Sequence, residues 1–119
     1  MATYSKQYLT GGAADGTGIK LAVDSGAYTT IHTSSVGQAG HIDEIWLYGS
    51  NTDTSDIKVT LKFGGTDDPD DLIEVTVGAE AGLVLLVPGL ILKGGSLVLL
   101  GAAATASKVS VFGYVNRIA

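Results

Sequence analysis

The sequence predicts an all-β fold: a single antiparallel β-sandwich of about eight strands, preceded by a flexible N-terminal arm. Three observations lead there. Ile57-Lys58-Val59-Thr60-Leu61-Lys62-Phe63 alternates apolar and polar residues, the period-2 signature of a strand with one buried face and one wet face. Similar runs recur from Ile19 to the C-terminus, separated by short clusters rich in Gly, Asp and Thr. No stretch joins helical periodicity to end caps; Ala79 to Leu86 has some helix-favouring residues, but Gly82, Val84 and nearby Pro88 oppose a helix.

Residues 1–18 read as the arm and residues 19–119 as the sandwich domain. Thr10 to Gly18 carries four glycines and little apolar surface, so nothing in it offsets the entropy of ordering. Tyr4, Tyr8 and Leu9 precede the glycines and are the candidate partner-binding residues, placed to anchor the arm on a neighbour. Ile19, Leu21 and Val23 then alternate with Lys20 and Ala22, and Ala27 to Thr33 is rich in the strand formers Thr and Tyr. In Ile42 to Tyr48, Ile45 and Leu47 fall on one face and Trp46 and Tyr48 on the other. That pattern predicts a strand covered on both faces, with Trp46 in the core.

Polar residues 49–56 form a turn before the strand 57–63, and residues 64–71 form the next. In Leu72 to Val77, Ile73, Val75 and Val77 point inward against Glu74 and Thr76. Leu83 to Val87 and Leu97 to Leu100 are continuous apolar runs, expected of strands covered on both faces. Pro88-Gly89 reads as a turn after the first run, and Gly94-Gly95 permits another. Ala102 to Ala106 fits either a helix or a turn. The last strand, Lys108 to Ile118, sets Val109, Val111 and Val115 against Phe112 and Tyr114.

Composition narrows the function. A chain of 119 residues fits one domain, and the absence of cysteine excludes a disulfide-stapled scaffold and fits a reducing compartment. Seven Lys and Arg are scattered among twelve Asp and Glu, for a net charge of −5, so the basic footprint needed to displace counterions from nucleic acid is missing. The first eight residues lack the apolar core of a secretion signal. Gly82 to Ala106 is the most apolar region, but Pro88, Gly89, Lys93, Gly94, Gly95 and Ser96 cut it into strand-length pieces, well short of the ~20 residues of a membrane-spanning helix.

The chemistry-bearing residues are few. Asp67, Asp68, Asp70 and Asp71 flank Pro69 and are the residue type that holds Ca²⁺, yet the spacing matches no calcium loop and such residues also serve turns; a solvated hairpin tip is expected and no metal. His32 and His41, without cysteine, fall short of a zinc site. Ser34, Ser35, His32 and Asp43 could be assembled into a nucleophilic site, but no motif fixes them. Gly16-Thr17-Gly18 lacks the lysine and the following helix of a phosphate loop. The reading is a protein that is not an enzyme, with no cofactor and no small-molecule substrate. Tyr28, Trp46, Tyr48 and Tyr114 are the residue types that stack on sugars, so glycan binding stands as an alternative.

Several blocks carry a family resemblance over residues 5–119: Lys6-Gln7-Tyr8-Leu9-Thr10 leading into the glycine-rich stretch, His41-Ile42-Asp43-Glu44-Ile45-Trp46-Leu47-Tyr48 with the following Asn-Thr turn and strand 57–63, residues 86–95, and Val111-Phe112-Gly113-Tyr114-Val115-Asn116-Arg117-Ile118. In these the chain resembles the capsid decoration (head-stabilising) proteins of tailed bacteriophages. The resemblance implies a jelly-roll-like sandwich, a homo-trimer, and the major capsid protein as partner. It implies a location on the outer capsid surface of a virion, after synthesis in the host bacterial cytoplasm. Another virion component, such as a tail or head-fibre part, or a glycan-binding module on the particle, is the alternative.

Overall fold

The computed structural model describes residues 3–35 and 40–119, and within them the fold is all-β. Ten strands follow one another: β1 (Tyr4–Tyr8), β2 (Ile19–Lys20), β3 (Ala22–Val23), β4 (Thr29–Thr33), β5 (Ile42–Asn51), β6 (Ile57–Phe63), β7 (Leu72–Val77), β8 (Leu83–Lys93), β9 (Val98–Ala103) and β10 (Val109–Ile118). Two pieces exceed the sequence expectation. The stretch 19–23 divides at Leu21, and residues 4–8 add a strand of their own.

The strands form two sheets. The first has the order β1-β10-β5-β8, with β2 also pairing β10; the second has the order β3-β9-β6-β7, with β4 also pairing β9. Pairing is antiparallel throughout, except that β3 runs parallel to β9. From β5 onward the chain visits the first sheet, the second twice, then first, second and first again. The segment β2–β3 changes sheets at buried Leu21, whose N–H donates to Val109 O at 2.9 Å.

The core lies between the sheets and follows the period-2 pattern. Ile45 and Leu47 of β5 and Val111 and Val115 of β10 face Ile31, Val59, Leu61 and Leu99 of the second sheet in one apolar cluster. Each such side chain contributes roughly 1.5–3 kcal/mol by leaving water. Strand β6 has the bounds its alternation predicts, and Val77 is buried while Glu74 and Thr76 are exposed.

Besides the arm, several expectations differ from the structure: the turn read at 49–56 and the helix or turn read at Ala102 to Ala106 are turns that begin only after Asn51 and Ala103, which belong to β5 and β9. Residues 83–93 are one strand, not two runs parted by a turn at Pro88-Gly89. The register against β5 slips twice, so Leu86 and Gly89 are extra residues that bulge from the ladder. The bulges absorb Pro88, which has no N–H for the ladder, and Gly89, whose φ of +77° is open to glycine and strained for other residues. Strand β8 is also an edge, with Leu83, Leu85, Leu90 and Ile91 exposed, not a strand covered on both faces. Trp46 lies on the outer face of the first sheet, half-buried, and not in the core between the sheets. Its ring covers Gly89, where an added Cβ would meet the ring at 2.8 Å.

Residues 3–18, read as an arm, lie along the domain. Strand β1 pairs with β10 from Tyr4 opposite Ile118 to Tyr8 opposite Tyr114, and Thr3 and Ala119 exchange backbone hydrogen bonds at 2.9 Å. Gly11 N–H donates to Ile31 O at 2.9 Å, and only a residue without Cβ fits against the Thr30 and Ile31 carbonyls there.

Candidate functional site

Two features stand out: a buried polar knot, and the outer face of the first sheet with its two edges. The knot is built by strand geometry. Asp43 takes an inward position of β5, in register with Ile45 and Leu47, and Arg117 sits opposite it on β10. His32 comes from the second sheet. A bulge between Thr30 and His32 breaks the alternation of β4 and turns both Ile31 and His32 inward.

Asp43 is fully buried and accepts a two-pronged bond from Arg117, Nε to Oδ1 at 2.9 Å and Nη2 to Oδ2 at 3.1 Å. His32, also fully buried, donates from Nε2 to Asp43 Oδ2 at 2.8 Å. The direction is fixed at the other nitrogen, where the backbone N–H of Thr10 donates to Nδ1 at 3.2 Å. Nδ1 must offer its lone pair, so the ring proton is on Nε2 and the imidazole is neutral. Thr10 Oγ1 in turn accepts from Thr33 N at 2.8 Å. The knot therefore joins both sheets, the last strand and the N-terminal segment.

Its electrostatics agree with that assignment. Burial lowers the His32 pKa below its ordinary value and outweighs the bond and charge of Asp43, which pull it up. For Asp43 burial is the largest single influence and pushes upward, but the hydrogen bonds from Arg117 and His32 and the charge of Arg117 together hold the carboxyl below the usual range. The bond to Asp43 raises the Arg117 pKa further.

Of the residues from which a nucleophilic site could be assembled, His32 and Asp43 are brought together and the serines are not joined to them. Ser34 Oγ accepts from Leu97 N at 2.9 Å. Ser35 Oγ is buried with no hydrogen-bond partner among the described residues. The His32 nitrogen that would take a proton from a nucleophile already accepts from Thr10. His41 lies before β5, where its carbonyl accepts from Gly94 N at 2.8 Å.

The candidate partner-binding residues separate. Tyr4 and Tyr8 are exposed on β1, whereas Leu9 is 5% exposed and belongs to the core. In the acidic turn, Asp71 Oδ2 accepts from Asp67 N at 3.0 Å and Asp71 N donates to Asp67 O at 2.9 Å, so the turn uses its carboxylate to close itself. No group of three or more potential metal ligands occurs among the described residues.

The outer face of the first sheet is aromatic. Tyr8, Tyr114, Trp46 and Pro88 form one row across β1, β10, β5 and β8, and Phe112, Tyr48 and Leu85 form the next. The Trp46 and Tyr114 rings stack at 6.5 Å between centroids and 16° between planes, and Lys6 Nζ stands 4.8 Å from the Tyr114 centroid. Glu44 Oε1 accepts from Trp46 Nε1 at 2.6 Å and Asn116 Nδ2 at 3.3 Å, which holds the tryptophan over the sheet. A depression of about 380 Å³ beside this row is lined by Lys6, Gln7, Tyr8, Gly16, Gly113 and Tyr114.

Sequence reasoning missed Arg117 and Asn51. Arg117 continues the inward register of Val111 and Val115 by two, and a charge in an apolar register demands a buried partner. Buried Asn51 ends β5 and donates from Nδ2 to Ser55 O at 2.9 Å and Val77 O at 3.0 Å, closing the turn before β6. No protein-family model, no curated protein and no solved structure matches the chain.

Proposed function

We propose that this protein is a structural component of a tailed-bacteriophage virion, which decorates and stabilises the capsid by binding the outer surface of the major capsid protein lattice. The observation that carries the reading is where polarity and apolarity fall. The acid, base and guanidinium of the knot are locked into each other inside the fold, while large apolar side chains stand outside on edge strands. Such a molecule acts through its surface. The strand order supports a jelly roll: with β2, β4, β5, β6, β7, β8, β9 and β10 taken as its eight strands in turn, the first sheet pairs first, eighth, third and sixth, and the second pairs second, seventh, fourth and fifth. The resemblance to decoration proteins adds the homo-trimer, the outer capsid location and synthesis in the host bacterial cytoplasm. Seating many copies on a shell stabilises it by linkage, because each contact is lost when the shell opens.

The experiment is cosedimentation with empty capsids assembled from the major capsid protein of the same genome, followed by thermal disruption of the particles. Saturable binding and a raised disruption temperature are expected; binding no stronger than that of an unrelated acidic protein refutes the reading.

A glycan-binding module is the second reading, favoured by the aromatic row Tyr8, Tyr114 and Trp46 beside a depression edged by Lys6 and Gln7. It requires saturable binding on a glycan array that Tyr8→Ala abolishes with the fold intact.

A further inference from the structure

All six large apolar side chains that stand exposed among the described residues lie on the two edges of one sheet. They are Tyr4 and Tyr8 on β1 and Leu83, Leu85, Leu90 and Ile91 on β8, 43–72% exposed. Within one chain β1 pairs only with β10 and β8 only with β5, so each presents an open row of backbone donors and acceptors. An exposed, apolar, open edge is a template for another strand.

We propose that a second copy of this chain occupies that edge: β8 of one subunit pairs with β1 of the next, continuing the first sheet from subunit to subunit and closing a ring. The inference rests on the homo-oligomer part of the proposed function and not on the capsid part. Strand direction allows it. β1, β10, β5 and β8 alternate in direction, so β1 and β8 run opposite ways. Rotation about an axis along the strands brings the β1 of one copy antiparallel to the β8 of another, the favoured ladder. Because the two edges differ, the contact is heterologous, and such contacts form rings when the rotation closes.

Length and charge choose the half of β8. Strand β1 has five residues, and Pro88 divides β8 into 83–87 and 89–93; the bulges at Leu86 and Gly89 leave regular alternation at 83–85 and 90–93, so β1 pairs through three or four residues of either half without meeting the missing N–H. Lys6 and Lys93 are the only charges on the two strands, so seating β1 on 83–87 keeps the two ammonium groups apart. In that seat Tyr4, Tyr8, Leu83 and Leu85 offer roughly 500 Å² of exposed surface, under half of what a small specific interface needs, and the paired backbone and flanking residues supply the rest. A symmetric β8–β8 contact would leave Tyr4, Tyr8 and the β1 edge open.

The test uses the absence of native cysteine. Tyr8→Cys and Leu83→Cys proteins are co-expressed and treated with a short bis-maleimide, beside each variant alone, and the mass of the untreated native protein is read by light scattering. Cross-links between the two variants, none within either alone, and a mass of three or more chains are expected. A monomer, a two-chain mass, or Leu83→Cys linking to itself overturns the proposal. A three-chain mass without the mixed cross-link overturns this contact and leaves the homo-trimer standing. As a second check, Leu85→Lys is expected to weaken association at least tenfold with Trp46 fluorescence unchanged; unaltered association refutes the role of β8.

Discussion

Asp43→Ala removes the centre of the buried knot. Three donors then lose their acceptor: His32 Nε2, Arg117 Nε and Arg117 Nη2. Breaking a buried ion pair by deleting one partner costs roughly 3–5 kcal/mol, because the other charge stays behind uncompensated. Arg117 is 24% exposed and recovers some water, which draws its share toward the lower end. His32 is wholly enclosed, and its orphaned N–H adds about 1–3 kcal/mol. The expected loss is about 4–6 kcal/mol, a large part of the ~5–15 kcal/mol that holds a domain together. At this chain length it lowers Tm by roughly 12–30 °C. Urea unfolding followed by the single tryptophan, at fixed protein concentration, measures it as a lower midpoint at unchanged slope. Glu74→Gln is the control, since the Lys58–Glu74 pair at 3.2 Å is more than half exposed on both sides and contributes at most about 1 kcal/mol. An Asp43→Ala loss below about 1 kcal/mol, or one no larger than the control's, refutes the view that the knot ties the sheets together.

Acid should act through the same knot. The folded pKa of His32 lies below its ordinary 6.5, so the unfolded chain takes up the proton first and stability falls as pH drops below about 6.5 toward the folded value. Asp43, held below 3.8, adds a second loss as pH falls below about 4. Urea midpoints across pH should show both, and His32→Gln should flatten the upper one; an unchanged upper slope in that variant removes His32 as its source. Gly89→Ala forces a side chain into a positive-φ position under the Trp46 ring and is expected to cost about 1–3 kcal/mol and shift the tryptophan emission; native-like emission and stability would mean that the ring does not rest on Gly89. Leu9→Ala is expected to cost about 2–4 kcal/mol, as for a core leucine, while a loss under about 0.5 kcal/mol would mean that the N-terminal segment is only loosely attached.

Much of the fold was legible because period-2 alternation reports directly on a sheet with one buried face. Strand β6, the inward set of β7 and the two faces of β10 follow from it. The pattern fails where the ladder is irregular. In β8, the bulges at Leu86 and Gly89 shift the alternation twice, and the sequence then reads as two apolar runs with a turn. In β4, a bulge puts Ile31 and His32 on the same side, hiding the residue that links Thr10 to Asp43.

The sequence by itself determined the class of structure and the absence of a recognisable catalytic or ligand motif, because strand periodicity, turn residues and composition are local properties. Tertiary structure decided what those residues do. Leu9 became core because Gly11 lets the N-terminal segment approach β4 closely enough to bond its backbone. Asp43, His32 and Arg117 became one knot because two sheets place residues from three distant strands within hydrogen-bond reach. The apolar run in β8 became an open edge because the chain ends its first sheet there, an outcome set by strand order and by no residue in the run itself.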